Sequence, residues 1–491
     1  MNWQVSASIS GGRRFSAAEY QEYLTTAQAL GRESATLRTI GKSLGLLNVQ
    51  RVMGPLAASL PTSHTGTGCS APDHFEFPLD QIVERCSAHA RILNGMADEL
   101  AELSVLIIRA QSLYSQADDS SRRTMRNLLQ TLFIARPLES AIGLGLTAGY
   151  GWISGSVKDG KINHIHASDA LSPAHEAVLG AAGTLLSGMS PFKGLLREDE
   201  VNRAATRLSE YTEPRKNRIQ GNRLTVTEVK AKADVVGESH SVTESMEDLR
   251  RLAEERLGKI DIGSGLDYAT VAISKYRRSD GSYSWLVTIP GTDGEDDSPF
   301  GWSQNIDLMS ADPQQRMRAD SARMVHKAMQ EAGIGSDEPV ALIGHSQGGI
   351  VAATLASDLQ DEYDIEHVVT AGSPIANHPI PEKTWVTSIE MEDEIVAAAD
   401  GAANPDLDNR LTVRGTVERT SEAAKRIFGG TKVANAPREK EITHWIEYHQ
   451  AAYQNATDLG SHAVGEHERH FQSVIDGELE EVTYWQGRMS H

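Results

Sequence analysis

The chain predicts an α/β fold, a mostly parallel sheet with helices on both faces, preceded by an α-helical N-terminal region. Three observations carry this. From Leu266 onward, short strand patterns alternate with helix patterns at the spacing of βα units. Ala341-Leu-Ile343 is wholly apolar, as a strand buried on both faces must be, and leads at once into a glycine-flanked serine and a small-residue helix. Ahead of residue 200, apolar residues recur instead at helical spacing.

Taken in order, 15–30 and 34–52 read as helices, with Ser16 placed to cap the first. A Thr/Ser/Gly/Pro-rich linker covers 61–72, and 78–135 carries the longest helical pattern, interrupted only by Asn94-Gly95. Gly/Ala-rich segments at 141–153 and 174–186 are shorter than a bilayer span, and the small-residue stretch 141–194 is a candidate lid over a site. These place an N-terminal helical domain at 1–200 and a polar linker at 201–220. Residues 223–229 alternate like a strand, and 244–257 read as an exposed charged helix. Strands 267–276 and 283–290 flank Ser279-Asp280-Gly281, a hairpin signal. Helix 313–332, strand 340–344, helix 350–359, strands 367–371, 385–391 and 410–417, and helix 444–456 complete an α/β domain at 221–460, the expected seat of the chain's chemistry. An acidic tail, 461–491, follows.

Composition narrows the partners. The 491 residues include 67 acidic and 47 basic ones, a formal net charge of −20, with no long Lys/Arg cluster. Nucleic-acid binding is therefore not expected, since it needs a basic face, and neither is electrostatic docking on anionic lipid. No transmembrane span is predicted, and the first ten residues lack a Sec-type pattern, so the cytoplasm is the default location. Cys69 and Cys86 form no metal motif and are expected as free thiols, with one disulfide between them as the alternative if the protein is exported.

The chemistry concentrates around Gly344-His-Ser-Gln-Gly348. Glycines on either side of Ser346 permit a sharp strand-to-helix bend with the hydroxyl at its tip. The same bend aims the Gln347 amide where an oxyanion would form. Serine is a poor nucleophile without a base, and the base needs an orienting acid. His444, where a polar loop enters a helix, is the candidate base, ahead of His449, which should face solvent or pack. Strand 385–391 ends in Glu392-Asp-Glu394, and the acid is Glu394 or Asp393. Upstream, Pro290-Gly-Thr292 places the Thr292 amide as second oxyanion donor.

These residues carry a resemblance. Residues 266–457 resemble the α/β-hydrolase superfamily, and within it bacterial, mostly actinobacterial, lipase-like hydrolases. The matching pieces are Ile289-Pro-Gly-Thr292, Asn305-Ile-Asp-Leu-Met309, Gly344-His-Ser-Gln-Gly-Gly349, Val369-Thr-Ala-Gly-Ser-Pro374, and Asp400-Gly401 with Asn404-Pro-Asp406. The resemblance implies Ser346 as nucleophile, the Thr292 and Gln347 amides as oxyanion hole, an acyl-ester or lipid substrate, and no cofactor or metal. The chain departs from the family's Asp-x-Val-Pro acid pattern, with Glu394-Ile-Val-Ala397 in its place. That departure motivates the alternatives of a weakened hydrolase-fold interaction protein or secreted effector; an acyltransferase is a further alternative. The N-terminal region is similar, less specifically, to WXG100-like helical modules, with Tyr114 and Asp118 in Tyr-x-x-x-Asp spacing. That similarity implies a helical partner and type VII export as an alternative route.

Overall fold

The computed structural model describes residues 3–12, 17–53, 79–112, 200–419, 430–437 and 441–491. The linker 61–72, Cys69, Tyr114, Asp118 and both Gly/Ala-rich patches lie outside them. The described residues fall into two compact units, one holding 17–53 and 79–112 and the other holding the rest.

The smaller unit is a hairpin of two long helices, α1 (Ala17–Met53) and α2 (Leu79–Ser112). The two helices expected over 15–30 and 34–52 are one, and α2 runs through Asn94-Gly95 without a turn. Small residues line the seam at seven-residue intervals. Ser104 Oγ donates to the Ala27 carbonyl (2.8 Å) and Ser34 Oγ to the Ala97 carbonyl (2.7 Å). Gly41 faces Ala90 and Asn94, which fixes the antiparallel sense and lets the axes approach closely. Cys86 in α2 carries a free thiol.

The larger unit is built on a ten-stranded sheet in the order β2-β10-β3-β4-β5-β6-β7-β8-β1-β9. In chain order the strands are β1 (Trp3–Gly11), β2 (Arg223–Val229), β3 (Thr270–Arg277), β4 (Tyr283–Ile289), β5 (Pro339–His345), β6 (Asp364–Ala371), β7 (Trp385–Met391), β8 (Arg410–Arg419), β9 (Thr431–Lys432) and β10 (Glu478–Ser490). β4 through β8 run parallel, and the strands outside them join antiparallel. The sheet is thus mixed, with the parallel strands of the expected α/β fold forming its centre. Val340 to Ile343 on β5 are at most 1% exposed, as expected for a central strand covered on both faces.

Both ends of the chain enter this sheet. Residues 3–11, expected within a helical region, form β1 against β8, burying Val5, Ala7 and Ile9 on alternate positions. The expected acidic tail contains helix α10 (His462–Val474) and β10, which pairs with both β2 and β3. Its acidic half, 478–481, is solvent-facing, while Tyr484, Trp485 and Met489 are buried. The expected linker 201–220 is helix α3 (Glu200–Gln220), held by Ser209 Oγ (2.6 Å) and Lys216 Nζ (2.5 Å) on the buried Asp307 carboxylate. Helix α4 (Val242–Glu255) is not the exposed helix its charges suggested. It buries Val242, Met246, Leu249 and Leu252 along one face and is capped by Ser241, whose side chain accepts from the Glu244 amide. Helices α5 (Gln304–Leu308), α6 (Pro313–Arg318), α7 (Asp320–Glu331), α8 (Gln347–Asp358) and α9 (Ile446–Asp458) complete the unit. The single helix expected over 313–332 breaks at Ala319, whose ψ of 129° is extended. No described helix is long and apolar enough to cross a membrane.

α10 docks on the sheet through three imidazoles. His367 on β6 meets His470 (Nδ1 to Nδ1, 3.1 Å), and Thr387 Oγ1 bridges His367 Nε2 and His467 Nδ1, each at 3.0 Å. Trp385 stacks on His470 with ring centroids 4.4 Å apart. Burial pushes all three rings down, His367 well below its ordinary value, His467 to about 3 and His470 to about 4. The unfolded chain takes up these protons from about pH 6.5 downward, whereas the folded chain does not until about pH 4. Stability is therefore complete above pH 6.5 and lost as the pH falls below it. The buried pair His367 and His467 should each cost roughly 2 kcal/mol by pH 5. Thermal denaturation at pH 7, 6 and 5 should show a steep fall in Tm, and a flat profile would contradict this packing.

Candidate active site

The loops after β4, β5 and β7 carry Thr292, Ser346 with Gln347, and Glu394, and His444 lies just before α9. At the end of β5 the chain turns through Ser346, with φ 55° and ψ −123°, straight into α8. A non-glycine residue there is strained, and its neighbours hold it. The Ser346 amide donates to the Ala371 carbonyl (2.8 Å), and its own carbonyl accepts from Ser373 Oγ (2.8 Å). A methyl group on Gly348 would collide with the Ile289 carbonyl, so that glycine is a condition of the close packing of β4 against the elbow.

The loop after β4 abuts the serine, with an added Cβ on Gly291 lying 3.0 Å from Ser346 Cβ. Among the described residues, neither the Thr292 nor the Gln347 amide donates a hydrogen bond to another protein group. A buried guanidinium fixes this loop on both sides of Thr292. Arg256, just past α4, donates from Nη2 to the Gly291 carbonyl (2.5 Å) and from Nη1 to Asp293 Oδ2 (2.9 Å). Both side chains are at most 1% exposed, and Asp293 also accepts from the Ala269 amide (2.9 Å). A buried charge pair this well bonded sets a loop geometry strictly, since breaking it strands a charge. Gln347 is buried too, its side-chain amide donating to the Gly301 carbonyl (2.9 Å).

After β7, Glu394 turns inward and Asp393 does not. Glu394 Oε1 lies 2.5 Å from His444 Nδ1, while Asp393 Oδ1 accepts from Thr443 Oγ1 at 2.7 Å. His444 stands in the turn before α9, its ring 4.8 Å from that of His345. His345 Nε2 donates to the His444 carbonyl (2.8 Å), so the residue before the serine anchors the histidine turn. Burial, then the neighbouring imidazoles, press the His345 ring well below its ordinary value and keep it neutral.

A second histidine, His449 on α9, packs as sequence reasoning allowed, but against the acid, which that reasoning did not foresee. His449, expected to face solvent or pack, is fully buried, with Nε2 2.9 Å from Glu394 Oε2 and Nδ1 3.1 Å from the Trp445 carbonyl. Burial alone would raise the Glu394 carboxyl. The electrostatic pull of the His449 and His444 imidazoles and the hydrogen bonds from both rings outweigh it and hold the group well below the usual carboxylate range. Gly372, with φ 61°, makes room for this cluster: an added Cβ would come within 2.9 Å of His444 Nδ1 and of His449 Nε2. Ligating atoms of Glu394, His444 and His449 lie within 4.8 Å of one another. Each ring nitrogen takes its own carboxylate oxygen at hydrogen-bond distance, which is the geometry of shared protons rather than of three lone pairs converging on a cation.

Sequence reasoning also missed Arg256, His345 and Gly372. Gly372 sits inside the quoted Ala-Gly-Ser-Pro segment, and His449 five residues after His444, so local signals existed for both. Arg256 had none, because its partners are more than thirty residues away.

A family model described as a PGAP1-like alpha/beta domain matches residues 305–413. The chain carries an α/β-hydrolase-like domain. The match covers less than a quarter of the chain, taking in the Ser346 elbow and Glu394 and leaving out Thr292 and His444. Neither a curated protein nor a solved structure matches the chain.

Proposed function

We propose that this α/β-hydrolase-like domain is a serine hydrolase that cleaves carboxylic esters of acyl or lipid type through a covalent acyl-enzyme. The observation that carries the reading is the bond of 2.5 Å between Glu394 and His444, on a turn anchored by His345, the residue before a serine held at φ 55°. With Nδ1–H donated to Glu394, His444 keeps the lone pair on Nε2, the tautomer a general base needs. Ser346 Oγ attacks the ester carbonyl carbon as His444 Nε2 takes its proton, and the Thr292 and Gln347 amides hold the oxyanion. The imidazolium then protonates the leaving alkoxide. Water, deprotonated by the same nitrogen, attacks the acyl-enzyme and frees the acid and Ser346.

Apolar residues flanking the pair support an acyl substrate. Ile395 follows Glu394, Ile442 and Trp445 bracket His444, and these three are 49%, 57% and 43% exposed. The PGAP1-like match agrees with an esterase-like reaction class at the level of the superfamily.

The test is incubation with a fluorophosphonate probe, followed by turnover on a panel of p-nitrophenyl esters of increasing chain length. Stoichiometric labelling at Ser346 with ester turnover is the expected result. A folded protein that neither labels nor turns over would sink the reading in favour of an interaction protein, and faster transfer to an added alcohol than to water would make it an acyltransferase.

A further inference from the structure

We propose that His449 is a positioning residue that carries a proton at both ring nitrogens and clamps the second oxygen of Glu394, an assignment that rests on the hydrolase reading above. The geometry leaves little freedom. A carbonyl oxygen only accepts, so the contact of 3.1 Å between His449 Nδ1 and the Trp445 carbonyl places a hydrogen on Nδ1. Nε2 then faces Glu394 Oε2 at 2.9 Å, and two lone pairs at that distance would repel. One further proton must lie between them. It belongs on the imidazole, which is by nature the stronger base of the two groups. The groups that face His449 are Glu394, His444 and His345, whose rings lie 6.2 Å and 5.8 Å from its own.

The clamp accounts for the departure at the acid. Glutamate in place of aspartate adds a torsion, and with it freedom to swing the carboxylate off His444. Anchoring Oε2 on His449 removes that freedom, and Oε1 is left directed at His444 Nδ1. His449 sits on α9, five residues after His444, so one short segment carries both rings. The pair also changes the charge of the resting site. Glu394 and His449 cancel, and the positive charge that forms on His444 during acylation is met by a carboxylate already shared.

The experiment compares His449→Ala and His449→Gln with the wild type on one ester, alongside the imidazole spectrum of protein labelled with 13C-histidine at pH 7.5. Alanine should lower kcat about tenfold or more with KM within about twofold, because misplacing an orienting group acts on the transition state. Glutamine, which can still donate to Oε2, should recover most of that loss. In the spectrum, an imidazolium resonance present in the wild type should vanish in both variants. A neutral His449 resonance, or an alanine variant with unchanged kcat, would overturn the proposal. Should the wild type show no ester turnover at all, the hydrolase reading fails, and the spectrum still decides the protonation of His449.

Discussion

Ser346→Ala is expected to lower ester turnover by about 10⁴- to 10⁶-fold, because the covalent route has no other nucleophile at this elbow. At about 1.4 kcal/mol per tenfold, that is a loss of roughly 5–8 kcal/mol of transition-state stabilisation. The residue left would come from the Thr292 and Gln347 amides acting on direct attack by water. Folding should be spared. The methyl group of alanine occupies the place of Cβ, and the amide and carbonyl bonds to Ala371 and Ser373 belong to the backbone of residue 346. Neither serine nor alanine suits φ 55° with ψ −123°, whereas glycine does. Ser346→Gly should therefore be inactive yet more stable than the wild type by about 1 kcal/mol. Steady-state kinetics and urea unfolding of the three proteins check both halves. An alanine variant retaining more than about one per cent of kcat would move the nucleophile elsewhere.

How much of this was legible in the sequence follows from the range of the forces involved. The elbow, the strands β2 to β8 and the Asp280-Gly281 hairpin were readable because their signals are local: apolar runs, period-two alternation and glycine at a turn. Glu394 and His444 were readable as candidates from chain order. Choosing Glu394 over Asp393 was not, since it depends on which carboxylate a loop turns toward a residue fifty positions away. The same limit hid the role of Arg256. β1 is a different case. Trp3, Val5, Ala7 and Ile9 alternate as an amphipathic strand should, but the partner strand lies some four hundred residues on, and the next described elements are the long helices α1 and α2. In α3, α4 and β10 charge density pointed to solvent. Tertiary burial of one face, or a single buried carboxylate such as Asp307 accepting from α3, decided otherwise.

The acid is where departure from the family pattern meets a definite geometry, and Glu394→Gln and Asp393→Asn together read it. Glu394→Gln should lower kcat by about 10³- to 10⁴-fold with little change in KM. Glutamine can accept from His444 Nδ1 through its carbonyl, but it brings no charge to stabilise the imidazolium. Rotated the other way, its NH₂ would face Nδ1 and force the proton onto Nε2, which disables the base. Asp393→Asn should stay within about threefold of the wild type, because asparagine Oδ1 can still accept from Thr443 Oγ1 and the bond to His444 Nδ1 is made by Glu394. The folded state tolerates Glu394→Gln as well, since its amide can donate to a neutral His449 Nε2 while its carbonyl serves His444. Loss of activity without loss of Tm is thus the expected signature. If both variants kept kcat within about tenfold, the orienting acid would have to be sought outside this turn. If Asp393→Asn were the damaging one, the carboxylate at 2.5 Å from His444 would be a structural ligand rather than the member of the triad it resembles.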